Sequence, residues 1–400
     1  MATDADCVIV GASFAGLASA IAIASAGLRV VIIEKKTDVG ERLHTTGIIV
    51  KDAVDQIALL EALPAPLVRR IPGVRLHAPN LRHVDLEAPG YYFLATNTPA
   101  VMRWLARAAE RAGATIANST VFTHAQRVHN GFSVAGFGAT RFLIGADGPR
   151  SHVARVLGLG ASRKFLAGVE YEFAGRTLAD PDRLHCFIDR KIAPGYIGWV
   201  LEGVGGVQAG LARRIDARNG LEPGRAMDAF LTKIAPAIDL RGIAPTGVRA
   251  GLIPCGGVVN PVATPRALLV GDAAGMVSPV TAGGIHTALK HGLAAGHAVA
   301  EFLRGRGGDP SVAFVRSYPR FRAKRLLRFL FDHCQSDLAF NLMLDTVLTR
   351  SAARLVYFHH KGVFGRAAAG ALRKRPRPLA NRPPMRYKAL GESSDGAEKR

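Results

Sequence analysis

Residues 7–34 leave few folds open to this chain. Cys7–Val10 (CVIV) is a short apolar run followed by Gly11; residues 14–26 are Ala-rich up to Gly27, and RVVIIE (29–34) is apolar again. Short runs without polar alternation suit strands buried on both faces, as in parallel sheets covered by helices. Gly27 is a suitable helix stop. Strand, glycine turn, helix and strand in this order make a β-α-β unit, so the chain opens as a layered α/β protein.

The turn at Gly11–Gly16 keeps the outer glycines of the dinucleotide pattern G-x-G-x-x-G and has Ser13 in the middle place. Gly11 permits the tight turn and Gly16 lets helix and strand pack closely. The amides of Ser13, Phe14 and Ala15 open a helix whose dipole favours a diphosphate. Ser13 adds a small side chain whose hydroxyl is a further phosphate donor. Glu34, followed by Lys35, closes the second strand twenty-three residues after Gly11. That is near the ~20 expected for a carboxylate on an adenosine ribose.

Two later segments have the same strand-turn-helix form. RFLIGADGPRSHVARVLGL (141–159) ends a strand at Ala146, turns at Asp147 and Gly148, and starts a basic helix near Ser151. ALLVGDAAGMVSPVTAGGIHTALKHGLAAG (267–296) is the more specific. A strand ends at Val270, Gly271 turns, and Asp272 can accept a hydrogen bond from a ribityl hydroxyl. Pro279 ends the loop, and Gly283, Gly284 and Ile285 open a long helix. Its bare amides suit the edge of an isoalloxazine ring that gains negative charge on reduction.

Between these segments the pattern changes. Residues 51–63 predict a helix, 74–96 antiparallel strands, and 99–113 another helix. The glycine-rich stretch 168–250, with GVEYEF, LHCFID, YIGWVLE and GGVQAGLA, predicts a second sheet. From 312 to 370 the pattern is mostly helical. The expected fold is α/β: a Rossmann-like FAD-binding domain with an inserted, mainly antiparallel β-sheet substrate domain and a helical C-terminus. The discontinuous first domain takes residues 1–73, 97–165 and 251–305. The substrate domain takes 74–96 and 166–250, and a helical segment takes 306–372. The Pro- and charge-rich tail 373–400 is expected to be disordered.

The three segments together resemble the para-hydroxybenzoate-hydroxylase-type FAD-dependent oxidoreductase superfamily, over roughly residues 5–300. GDAAG-x-x-x-P-x-x-x-x-GI is similar to the geranylgeranyl reductase family within it. YIGWVLEGVGGVQAGLA (196–212) resembles that family's Tyr-x-Trp-x-x-Pro stretch and the Gly-rich strand after it. The resemblance implies FAD as cofactor, with NAD(P)H or ferredoxin as electron donor. It implies reduction of a C=C bond in an apolar, isoprenoid-like substrate by hydride from flavin N5. An aromatic monooxygenase on the same scaffold and a non-redox flavin-dependent cyclase stay open as alternatives. Where many relatives carry an Arg before the third helix, this chain has Asn97-Thr98-Pro99, and Arg42 is the candidate to take over some flavin contact. His44-Thr45-Thr46-Gly47 stands where several prenyl reductases have Cys-Gly, and no Pro follows Trp199. Tyr196, Trp199 and His286 are the candidate substrate-pocket residues.

The net charge of +21 calls for an anionic partner, and residues 361–400 hold eleven Lys/Arg against three Asp/Glu. FRAKRLLRFLFDH (321–333) is basic and amphipathic, so peripheral contact with an anionic membrane is a candidate. No recognised RNA or DNA fold accompanies the charge, which argues against nucleic acid. The four cysteines are far apart and lack metal spacing, so no metal is expected. The N-terminus is acidic where a secretory signal is basic, and no apolar run reaches the ~20 residues of a membrane span. A cytoplasmic protein, peripheral on the membrane surface at most, is the expectation.

Overall fold

The computed structural model describes residues 5–215 and 223–358, and all structural statements concern these. The tail 373–400 and the end of the expected helical segment lie outside them. In chain order the helices are α1 (Phe14–Ala24), α2 (Lys51–Gln56), α3 (Thr98–Arg111), α4 (His152–Val156), α5 (Pro223–Ile234), α6 (Ile285–Leu303), α7 (Arg322–Cys334), α8 (Asp337–Met343) and α9 (Val347–Phe358).

The opening β-α-β unit forms the centre of the first sheet. Ala5–Val10 pairs in parallel with Val30–Ile33 on one side and Gly138–Gly145 on the other. Ala114–Ala117 and Ala267–Leu269 extend the parallel set at its two ends. Cys7 and Ile9 pack towards α1, α3 and α6; Val8 and Val10 pack on the opposite face with Leu143, Val153 and Met276. Both faces are buried, which is why the strand carries no polar alternation. The carboxyl ends of these strands carry all three of the motif turns.

The second sheet has seven strands. Their order is Gly247–Pro254, Phe165–Ala174, Gly206–Arg214, Gly198–Glu202, Arg183–Phe187, Gly73–His77 and His83–Glu87. All neighbours are antiparallel except Arg183–Phe187 with Gly73–His77. One face carries Val200, Ala209 and Leu211 against Met227, Phe230 and Ile234 of α5. The other carries Leu184, Cys186 and Leu201 against Leu344, Ala353 and Phe358 from the α8–α9 region. The remainder of that second face looks onto the cofactor motifs.

Two expectations are corrected. The helix expected over 51–63 ends at Gln56 and continues as a 3-10 turn, Ala58–Ala62. Ile57 and Leu60 are both buried, and three-residue periodicity puts them on one side. The strands expected over 74–96 do not form one unit. Phe93–Thr96 leaves the second sheet after the Pro89-Gly90 turn and pairs with Ile48–Val50 and Val68–Ile71 in a small third sheet.

Candidate functional site

The first and second turns are pressed together. Gly11 has φ +102°, and a Cβ on it would lie 2.5 Å from Ala146 O and 3.0 Å from Asp147 Cα. A Cβ on Gly16 would sit inside the Gly11 carbonyl. Ser13 caps α1, its Oγ accepting from Gly16 N at 3.2 Å, which leaves its O–H to donate outward. Phe14 and Ala15 are buried in the first turn of α1. Glu34 is buried at the strand end, with Oε2 accepting from Ala12 N at 2.8 Å and Oε1 from Lys36 N at 2.9 Å. The carboxylate therefore stands beside the glycine turn, while Lys35 is exposed.

Asp147 has a different use for its side chain. Its Oδ1 accepts from Ser151 Oγ at 2.6 Å, and its Oδ2 accepts from His152 N at 2.6 Å and Val153 N at 3.0 Å. The carboxylate caps α4, and what this turn offers the cleft is main chain and the open face of Gly148.

The third turn reaches the first through helix packing. A Cβ on Gly271 would lie 2.9 Å from Ala15 Cβ. Gly292 and Gly296 of α6 fit against α1, where a Cβ on either would lie 2.5 Å from Ala15 O or Ser19 O respectively. The Ser19 hydroxyl stands 2.9 Å from both Ala15 O and Gly292 O. This contact runs the two helices side by side in the same direction, with the opening of α6 about two turns beyond that of α1. Pro279 is buried in the intervening loop, Gly283 is exposed, and Ile285 begins the helix with Gly284 as its cap residue.

Asp272 provides the test of fit for FAD. Its carboxyl makes no hydrogen bond among the described residues, and burial pushes it up to about 6. A Cβ on Gly284 would lie 3.4 Å from its Oδ1, so it faces the opening of α6. A half-buried acceptor without an internal donor, beside unsatisfied helix amides, fits a polyhydroxyl chain leading to a flavin ring. A hydroxyl donating to the ionised carboxylate lowers its pKa from about 6. FAD affinity is therefore expected to weaken as pH falls below about 6 and to level off above it, by up to about tenfold per pH unit. Titrating apoprotein with FAD across this range checks it, and Asp272→Asn is expected to flatten the dependence.

The face of the second sheet that looks onto these turns holds a polar row beside an apolar one. Glu170 and Arg249 are direct register partners, as are Gly168 with Gly251 and Leu166 with Ile253. Glu170 is 3% exposed; its Oε2 accepts from Trp199 Nε1 at 2.9 Å, while Arg249 Nη1 stands 3.5 Å from Oε1. Arg249 also pairs with Glu172 and donates to Thr45 O at 3.0 Å and Thr46 O at 3.3 Å. Burial pushes the Glu170 carboxyl up and outweighs the opposing pull of Thr46, Arg249 and Trp199. Two carboxylates share one guanidinium here, so a proton on Glu170 leaves the group neutral. Arg249→Met leaves both acids uncompensated and is expected to destabilise the fold by about 3–5 kcal/mol, read from denaturant midpoints.

Next to that row, Tyr196, Trp199, Ile253 and Ala282 gather round Leu166, Ala212 and Cys255. The floor is bare at Gly168, where a Cβ would make only ordinary contacts, the nearest being Ile253 Cδ1 at 3.5 Å. Tyr196 OH donates to Thr281 O and ties the sheet to the loop before α6. The structure thus brings Tyr196 and Trp199 together at the loop that leads into α6. His286 lies in the first turn of α6 and is not part of this apolar cluster. The 44–47 loop closes another side: His44 Nδ1 is 2.7 Å from Ala250 O, and Thr96 and Thr98 donate to Gly47 O and Thr46 O. Arg42 is exposed at the start of this loop. Sequence reading passed over Glu170, Arg249, Gly292 and Gly296. Paired acids on an otherwise apolar strand and the G-x-x-x-G spacing within α6 were the signals available.

Comparison with known proteins agrees with this geometry. The family described as FAD binding domain matches residues 4–196 and 256–329. A digeranylgeranylglycerophospholipid reductase of Methanocaldococcus jannaschii is 27% identical, over 88% of this chain and 90% of that protein. Digeranylgeranylglycerophospholipid reductase 2 of Methanopyrus kandleri is 30% identical, over 78% and 81%. A crystal structure of a geranylgeranyl bacteriochlorophyll reductase-like protein from Thermoplasma acidophilum superposes with a TM-score of 0.77 at 20% identity, covering 90% of this chain and 98% of that one. The chain belongs to the FAD-binding-domain family and, within it, is an FAD-dependent oxidoreductase of the geranylgeranyl-reductase-like kind.

Proposed function

We propose that the protein saturates C=C bonds in the isoprenoid chains of a lipid. The reading is carried by the apolar strip floored by Gly168 and Ala212, which lies between the α6 loop and the buried Glu170. The lipid reductases to which the chain is similar support the substrate class. Bound FAD, once reduced, supplies a hydride from N5. Gly11, Ser13 and the first-turn amides of α1 would hold its pyrophosphate, and Glu34 its adenosine ribose. Asp272 would accept from the ribityl chain, and the amides from Gly283 to Ile285 would face the pyrimidine edge. Trp199 and Tyr196 orient the apolar chain and exclude water.

Glu170 holds the proton that the reduction needs, its carboxyl pushed towards the neutral form by burial. Delivery of that proton to one alkene carbon balances the hydride added to the other, and Glu170 is reprotonated from solvent. The two electrons come from NAD(P)H or ferredoxin. The deciding experiment is anaerobic turnover of a polyunsaturated isoprenoid glycerophospholipid with chemically reduced holoenzyme. A product heavier by two hydrogens for each bond reduced supports the reading. No anaerobic product but one heavier by an oxygen atom once air is admitted, or a product of unchanged mass, overturns it.

A further inference from the structure

Helices α7, α8 and α9 turn apolar side chains outward. Ten of the fifteen large hydrophobic residues exposed among the described residues fall between positions 326 and 356. Val347 is 82% exposed, Leu342 72% and Leu338 68%. Scattered exposed leucines are ordinary, but a cluster of this density marks a contact surface. The display is held by a fixed scaffold. Leu344, Ala353 and Phe358 are anchored in the core of the second sheet, and Arg328 and Gln335 are buried at the base of α7.

The charge around the cluster is predominantly positive. Arg320, Arg322, Arg325 and Arg354 are exposed at its margins. The acids nearby are each paired: Asp332 with Arg328 and Arg214, the exposed Asp345 with Arg82 and Arg350, and Asp337 with the backbone N–H of Arg190. The same helices form the outer wall of the apolar strip. Gln335 Oε1 accepts from Gly195 N at 2.9 Å, next to Tyr196. Tyr357 lies against Cys186, whose register partner is Trp199. No described helix is long and apolar enough to cross a membrane, so an outward apolar face with a basic margin suits the plane of an interface.

We propose that the outer face of α7–α9 docks on an anionic lipid bilayer, seating its leucines at the acyl boundary and opening the Tyr196–Trp199 strip to chains in the membrane. The docking rests on the surface alone; the delivery of substrate rests on the function proposed above. The test uses full-length holoenzyme with phosphatidylcholine vesicles, with or without phosphatidylglycerol. Anionic vesicles are expected to sediment at least about tenfold more protein than neutral ones, and salt is expected to weaken this. The triple variant Leu338→Ser, Leu342→Ser, Val347→Ser is expected to keep its flavin spectrum and thermal midpoint while losing at least about tenfold in vesicle affinity. It is also expected to lose turnover on vesicle-embedded lipid and keep turnover on the same lipid in detergent. Full vesicle binding by the triple variant overturns the proposal, because the anchor is then elsewhere in the chain. So does a wild-type dimer that the variant abolishes without any vesicle binding, because a second copy then covers the face. Vesicle binding without reduction of any lipid leaves the docking standing and sinks the proposed substrate class instead.

Discussion

Gly292→Val is expected to give a colourless protein that takes up no FAD on reconstitution. Gly292 faces α1 so closely that a Cβ would lie 2.5 Å from Ala15 O, 3.0 Å from Ala15 Cα and 3.0 Å from Ala18 Cβ. Two of these atoms are main chain and cannot rotate away. Ala in place of Gly normally favours a helix interior by about 1 kcal/mol. Overpacking against a rigid neighbour costs about 1–3 kcal/mol and decides the sign here. Gly292→Ala is therefore expected to keep its helical circular dichroism and to bind FAD about ten- to a hundredfold more weakly. The contact fixes how far the α6 opening, with Asp272 beside it, projects beyond the first turn of α1. A valine variant that binds FAD with wild-type affinity would show that the contact does not set the cofactor site.

Glu170→Gln is expected to lower turnover by about 10²–10³-fold, within the range for loss of a general acid. Flavin reduction by the electron donor and FAD affinity are expected to stay near wild type. Burial pushes the Glu170 carboxyl above the ordinary carboxylate range, which favours its acid form. Its deprotonation makes turnover fall as pH rises through that raised pKa, and the amide removes this limb of the profile. Stability follows pH in the same direction. A carboxyl with a raised pKa in the folded state loses stability as pH rises past its unfolded value. The neutral amide keeps an acceptor for the Trp199 indole and leaves Arg249 paired with Glu172. The variant should be at least as resistant to denaturant as the parent, which separates a lost proton from a damaged fold. Wild-type turnover with an unchanged pH profile would remove Glu170 from the mechanism.

Both predictions concern residues that sequence spacing leaves unmarked, whereas other parts of the site are legible. Val8, Ile9 and Val10 sit in an unbroken apolar run, and a run buried on both faces has no other reading. Gly11 and Gly16 carry their meaning in spacing alone, because the turn they permit is local. Asp272 was legible for the same reason, standing one residue after the glycine that turns the strand. Asp147 was placed correctly beside the first turn, yet its carboxylate caps α4, as the short distance to Ser151 and His152 allows. Local spacing gives no weight to one use of an acid over the other.

Glu170 and Arg249 lie seventy-nine positions apart and become neighbours only through strand register. Gly292 needs its bareness only because Ala15, far off in the chain, is its neighbour. The amino-acid order by itself determined the layered α/β frame, the three motif turns and the cofactor class, since each depends on contacts within a few residues. Tertiary structure alone decided which acid shares Arg249, where the apolar strip lies and how α6 meets α1. Those are properties of long-range pairing, which one-dimensional spacing does not encode.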